Sequence, residues 1–267
     1  MTRPAPLFHG TYLKADVFAA AAGAGFGKLL VTFRQRVADP GRFSDLKPVQ
    51  SFLRQGYSHL AIQSRDNDWY INPETEALAA SLRDFSAKFG QSLAFGFSMG
   101  GYAALRFSRD LLLNRVIAVS PQVSIAPEIV PFDRRYRHEA AGFDAGLGNL
   151  ARFGHEGLQG LVLFDPFRTL DRGNAAMIGA IFPGLSLCRL GFGGHPATQV
   201  IGETAGFGAV QKLVLQGRIS RAQILALHRR NRAASPAYWA ALAGRCRAGG
   251  HLAAADAAAA RLAMLWP

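Results

Sequence analysis

Apolar residues fall in short runs bounded by turn-forming residues, at 29–33, 59–63, 92–97, 115–119, 161–164 and 185–190. Each run has the length of a strand rather than a helix. Between them lie stretches of helical spacing, notably 73–89, where Leu78, Leu82 and Phe85 recur on one face, and 100–113, with Ala103, Leu105 and Leu111. Strand alternating with helix predicts βαβ units with right-handed crossovers. The expected fold is therefore three-layer α/β/α around a mostly parallel sheet. In such sheets ligands bind beyond the carboxyl ends of the strands, so the residues directly after each run are where chemistry is sought.

Two stretches break the alternation. Residues 121–156 mix Pro, Asp, Arg, His and Gly with little periodicity and exceed an ordinary connection, which marks an insertion of the kind that forms lids or substrate-binding loops. From about Ile219 the pattern is wholly helical, with helices predicted at 221–230, 236–247 and 252–265. The expected organisation is a main α/β domain, 1–217, and a basic Arg/Ala-rich helical extension, 218–267. Within the extension Trp239, Leu242, Gly250, Ala255 and Pro267 stand at tetratricopeptide spacing, and the segment resembles a single helix pair of that repeat. One repeat cannot build the stacked core of such arrays, so the pair is expected to pack on the main domain.

Of the 267 residues 49% are hydrophobic and 18% charged, enough apolar side chain to exclude wholesale disorder. The net charge of +12 is unevenly placed: Lys212, Arg218, Arg221, Arg229, Arg230, Arg232, Arg245 and Arg247 lie in a stretch with no acid between Glu203 and Asp256. That face suits an anionic or protein partner, or is simply a solvated helix surface. Aromatic residues do not interleave with it as in a base-stacking platform, and no specific nucleic-acid module is visible. Cys188 and Cys246 match neither a disulfide framework nor a zinc spacing and are read as buried thiols. No apolar run approaches the roughly 18 to 20 residues of a membrane span. Residues 17–25, built mainly of Ala and Gly, make a poor secretion signal, and the expected location is cytoplasmic.

The run 92–97 leads straight into Gly96-Phe97-Ser98-Met99-Gly100, followed by Gly101, Tyr102 and an Ala-rich helix start. A GxSxG sequence between a strand and a helix is the setting of a nucleophile elbow, where glycines permit a tight turn and the helix N-terminus favours developing negative charge. Here the chain resembles the α/β-hydrolase superfamily, the esterase- and lipase-like serine hydrolases. The resemblance implies a Ser-acid-His order. A serine hydroxyl needs a histidine to take its proton and an acid to orient that histidine. Asp165 directly follows the run 161–164, and His195 follows 185–190 through a glycine-rich turn, so the expected triad is Ser98, Asp165 and His195. Asp171, six residues beyond Asp165, is the alternative acid.

The oxyanion hole is expected from the backbone N–H of Met99 and a second N–H after the run 29–33, at Arg34 or Gln35. The sequence lacks the family's HG or HGGG signature at that loop. Asp68, Trp69 and Tyr70, after the run ending near Gln63, are candidates for substrate binding, as a polar contact and an aromatic wall, or for a packed corner beneath a loop. The leading expectation is hydrolysis of a small-molecule or saccharide-linked acyl ester or thioester through an acyl-enzyme, needing no metal or organic cofactor. Two alternatives stand beside it: acyl transfer by the same triad, and a non-catalytic hydrolase-like protein binding through the basic tail.

Overall fold

The computed structural model describes residues 4–20 and 27–265. Residues 21–25 of the Ala/Gly stretch and Pro267 of the repeat pattern lie outside the described residues. Eight strands form the sheet: β1 (Ala5–His9), β2 (Leu13–Phe18), β3 (Lys28–Phe33), β4 (Tyr57–Ser64), β5 (Gln91–Phe97), β6 (Arg115–Val119), β7 (Gln159–Phe164) and β8 (Leu185–Arg189). Their spatial order is β1-β2-β4-β3-β5-β6-β7-β8. β3 runs parallel to β4 and β5, and β5 parallel to β6, whereas β1–β2 and β2–β4 are antiparallel. The sheet is mostly parallel, as the alternation of runs predicts.

The helices are α1 (Gln50–Leu53), α2 (Thr75–Ser86), α3 (Met99–Arg106), α4 (Arg137–Ala140), α5 (Leu150–Phe153), α6 (Thr169–Ile181), α7 (Gln199–Thr204), α8 (Gly208–Leu215), α9 (Arg221–Asn231), α10 (Pro236–Ala248) and α11 (Leu252–Leu265). By packing, the chain forms two compact units, residues 1–162 with 173–186, and residues 163–172 with 187–267.

In the first unit the central strands are covered on both faces: Leu29, Leu30 and Val31 of β3, three consecutive side chains, are all fully buried. A continuous apolar run is what such a position demands, since alternate residues face opposite sides. β1 and β2 were not expected from the sequence. β2 carries Asp16 at a buried position, where His9 Nε2 at 2.7 Å and Lys14 Nζ at 3.0 Å meet its carboxylate. The charges that hide this strand in the sequence are paired within the hairpin. The hairpin turn is clasped by Glu74, just before α2, whose carboxylate accepts the backbone N–H groups of Thr11, Tyr12 and Leu13 at 2.6 to 2.9 Å.

The stretch 121–156 contains only the short helices α4 and α5. It is fastened to α3 by buried polar contacts: the Tyr102 hydroxyl donates to Gly148 O at 2.7 Å, and Arg106 Nε donates to Leu147 O at 2.7 Å. The Arg106 guanidinium lies over the Phe153 ring, 3.7 Å from its centroid. In the second unit α10 and α11 pack on one another across the Gly249-Gly250 turn through small side chains, with Ala243, Ala255 and Ala258 buried. Cys188 is buried, and burial pushes its thiol up to about 12. Cys246 is only half-buried, unlike the expectation for it, because it sits on the α10 hairpin rather than in a strand. Among the described residues no helix is long and apolar enough to cross a membrane.

Candidate active site

Ser98 stands between β5 and α3 with φ 48° and ψ −118°, a conformation that costs a non-glycine residue free energy and persists only when its surroundings hold it. They do so on both sides. The Ser98 N–H donates to Val119 O of β6 at 2.8 Å, while Ser98 O accepts the N–H of Gly101 and Tyr102. A Cβ on Gly96 would stand 2.2 Å from Gly100 O, and one on Gly100 2.7 Å from Phe33 O. Both glycines are therefore required by the closeness of strand, turn and helix. Ser98 is 7% exposed. Met99 begins α3, so its N–H is among the helix's first four and has no acceptor within the helix.

The contact of Gly100 with Phe33 and Arg34 brings the loop after β3 against the elbow. Of the two amides expected there as the second oxyanion donor, Arg34 N–H is committed to Ile62 O at 3.0 Å, continuing the β3–β4 ladder. Its side chain donates to Arg42 O and Ser64 O. Arg34 thus organises the loop, and Gln35, exposed one residue further, is left as the candidate donor.

Trp69 and Tyr70 have φ values of 53° and 61° and are fully buried, so neither ring offers a face to a ligand. They form the packed corner beneath a loop rather than an aromatic wall. The Tyr70 hydroxyl lies 2.8 Å from Arg34 O and 3.2 Å from Ile62 O, and burial raises its pKa well above the usual phenol range. Asp68 accepts from Ser64 Oγ, Tyr70 N–H and Asn72 Nδ2; burial raises its pKa against these bonds. It also lines a recess of about 430 Å³ with Arg36, Asp66, Asn67, His138 and Glu139, among others. That recess opens at the carboxyl ends of β3 and β4, the same end as the elbow on parallel β5.

One residue at the site escaped the sequence reading. Trp69 Nε1 donates to Gln122 Oε1 at 3.1 Å, which fixes the amide so that Gln122 Nε2 faces Ser120 O at 3.1 Å and Ser98 Oγ at 3.4 Å. Gln122 is fully buried and follows β6 by three residues. The strand-end rule that singled out Asp165 covers it as well, but a glutamine in an irregular stretch carries no motif.

In the second unit the carboxylate that meets the histidine is Asp171, not Asp165. His195 Nδ1 lies 2.9 Å from Asp171 Oδ2, and Arg168 Nε is 3.6 Å from the same oxygen. Asp171 is on the first turn of α6 and 2% exposed. Asp165, at the end of β7, turns both oxygens to backbone: Oδ1 accepts Phe167 N–H and Phe192 N–H, and Oδ2 accepts Gly194 N–H, at 3.0 to 3.1 Å. Asp165 thus shapes the turn that carries His195 without touching the imidazole. His228 of α9 braces the same turn, its Nε2 bonding Gly191 O at 3.0 Å.

No family model and no curated protein matches the sequence. Among solved structures the chain is similar to the capsule O-acetyltransferase of Neisseria meningitidis serogroup A, with a TM-score of 0.50 and 15% identity over 78% of this chain and 93% of that one. It is also similar to the Glycosylation Associate Protein (Gap123) complex from Streptococcus agalactiae, with a TM-score of 0.51 and 11% identity over 69% of this chain and 41% of that one. Est1E from Butyrivibrio proteoclasticus matches at a TM-score of 0.45 and 11% identity over 70% and 87%. The shared fold is an α/β one, a mostly parallel sheet with flanking helices. At these identities the likeness is one of architecture. Within this fold Ser98 occupies the strand-to-helix turn after β5, and Asp171 and His195 follow β7 and β8 in chain order.

Proposed function

We propose that this hydrolase-like chain is a serine-dependent enzyme acting on acyl esters, with Ser98 as nucleophile, His195 as general base and Asp171 as the orienting acid. The observation that carries the reading is Ser98 itself. A serine held at positive φ on a turn that two backbone approaches close to any side chain at Gly96 and Gly100 is a conformation kept for chemistry.

With Nδ1–H donated to Asp171, the basic lone pair of His195 is at Nε2, the nitrogen that takes the Ser98 proton as Oγ attacks the carbonyl carbon. The carbonyl π electrons move to oxygen, where Met99 N–H and the Gln35 N–H stabilise the oxyanion. Collapse breaks the bond to the alcohol or thiol, which leaves with the proton from His195. Water, deprotonated by His195, then releases the acid and restores Ser98. Gln122 Nε2, aimed at Oγ, stabilises negative charge on that oxygen before attack and when the acyl-enzyme breaks down.

Reaction with a fluorophosphonate probe tests the reading: the wild-type chain is labelled at one site and Ser98→Ala is not. Equal labelling of both would end the assignment. A second reading, transfer of the acyl group to an alcohol or saccharide, draws support from the recess that Arg36, Asp66, Asn67, Asp68, His138 and Glu139 line, whose carboxylate, amide and imidazole groups suit hydroxyls. Incubation with an activated ester and added saccharide separates the two: an acylated saccharide supports transfer, and free acid alone removes it.

A further inference from the structure

A smaller recess of about 230 Å³ in the second unit adjoins the turn that carries His195, and Arg189, Arg229, Arg232, His228, Phe192 and Tyr238 line it. Among the described residues none of the three arginines is in an ion pair; the acid whose charge reaches His228 is Asp165, and its oxygens accept backbone N–H groups. The Arg232 guanidinium rests over the Tyr238 ring, 5.7 Å from its centroid, which limits its freedom.

His228 adds an independent sign of a ligand. It is 5% exposed, and its Nε2–H is donated to Gly191 O. The lone pair is then on Nδ1, a buried acceptor with no hydrogen-bond partner among the described residues. Burial keeps the imidazole pKa below its ordinary value, so Nδ1 remains an acceptor near neutral pH. An acceptor without a donor costs free energy that a hydroxyl-bearing ligand would recover.

We propose that this recess binds a hydroxyl-bearing phosphate, its anionic oxygens on Arg189, Arg229 and Arg232 and an O–H donated to His228 Nδ1. Guanidinium groups match phosphate oxygens in geometry and charge. The hydroxyl discriminates: inorganic phosphate keeps at least one O–H near pH 7, and a phosphorylated polyol keeps an unesterified hydroxyl, whereas sulfate and simple carboxylates offer none. The occupant would touch Gly191 and Phe192, which belong to the turn carrying His195.

Calorimetric titration of the full chain at pH 7 with inorganic phosphate, sulfate and glycerol 3-phosphate tests the site. Phosphate is expected to saturate at least about tenfold more tightly than sulfate. Arg229→Ala/Arg232→Ala weakens phosphate by a similar factor, and Arg230→Ala, on the same helix but away from the recess, leaves it unchanged. His228→Phe removes the preference for phosphate over sulfate. In the wild-type chain the ¹⁵N resonance of His228 Nδ1 shifts with phosphate and not with sulfate, which does not depend on any variant folding. Tighter binding of glycerol 3-phosphate than of phosphate assigns the site to a phosphorylated alcohol, and the reverse to the free ion. Equal affinity for phosphate and sulfate, an unmoved Nδ1 resonance, or equal losses in Arg230→Ala and the double variant would overturn the proposal. Ser98→Ala binds phosphate like the wild type, so the result stands apart from the hydrolase reading.

Discussion

Asp165 and Asp171 are both almost fully buried and both lie near the end of β7, yet their partners separate them. Asp171 meets an imidazole nitrogen; Asp165 meets three backbone N–H groups. In the proposed triad, Asp171→Asn therefore keeps the shape of the site but presents the wrong group to Nδ1 and withdraws the charge that would stabilise an imidazolium. Turnover of an activated ester is expected to fall by about 1,000- to 10,000-fold with thermal stability near wild type. Asp165→Asn turns an N–H donor toward backbone donors and is expected to cost about 1 to 3 kcal/mol in urea denaturation, with the smaller effect on turnover. The opposite pattern would return the catalytic role to Asp165. Sequence could not decide between them, because strand-end position favours the first and only the side-chain direction at the start of α6 selects the second. The positions of Ser98 and His195 after strands, by contrast, were legible from the apolar runs that precede them and the glycines around each.

At the scale of elements, β3, β5, β6 and β7 were legible because strands buried on both faces read as apolar runs, and β8, with Ser186 and Arg189 exposed, from its length between turn residues. β1 and β2 were not, because Lys14 and Asp16 interrupt the apolar pattern and their pairing appears only once the hairpin folds. The elbow shows the same dependence on close approach. A Cβ on Gly100 would meet two backbone carbonyls, at 2.7 Å from Phe33 O and 3.1 Å from Arg34 O, and neither can swing aside as a side chain would. Gly100→Ala is expected to destabilise by about 1 to 3 kcal/mol and to slow phosphonate labelling, since α3 must shift away from β3. Gly202→Ala in α7 serves as the control: nothing lies within 4 Å of its added Cβ, and stability should hold or rise by up to about 1 kcal/mol. Equal losses in the two variants would show that close packing does not set the requirement at Gly100.

For the molecule as a whole, a net charge of +12 means that acidification adds positive charge to a chain already repelling itself. A buried histidine sharpens that response. His59, at 1% exposure on β4, accepts Val49 N–H at Nδ1 and lies 2.8 Å from Thr32 Oγ1 through Nε2, and burial lowers its pKa to about 4. The folded value is below the unfolded one, so the unfolded chain takes the proton first. The contribution is complete above about pH 6.5 and is lost as pH falls toward 4, by on the order of 3 kcal/mol. Urea denaturation across that range is expected to show the decline, flattened in His59→Gln; an unchanged slope would remove His59 as its source. Glu74 belongs to the same acid-sensitive behaviour on a smaller scale. Against a raising effect of burial, the Leu13, Tyr12 and Thr11 N–H groups hold its carboxyl below the usual range. Its clasp is intact above the ordinary carboxylate range and is released as pH falls through the lowered value. Three consecutive amides share one acceptor residue, so in deuterium exchange they should gain and lose protection together, the hairpin opening as one cooperative step while the central strands stay closed.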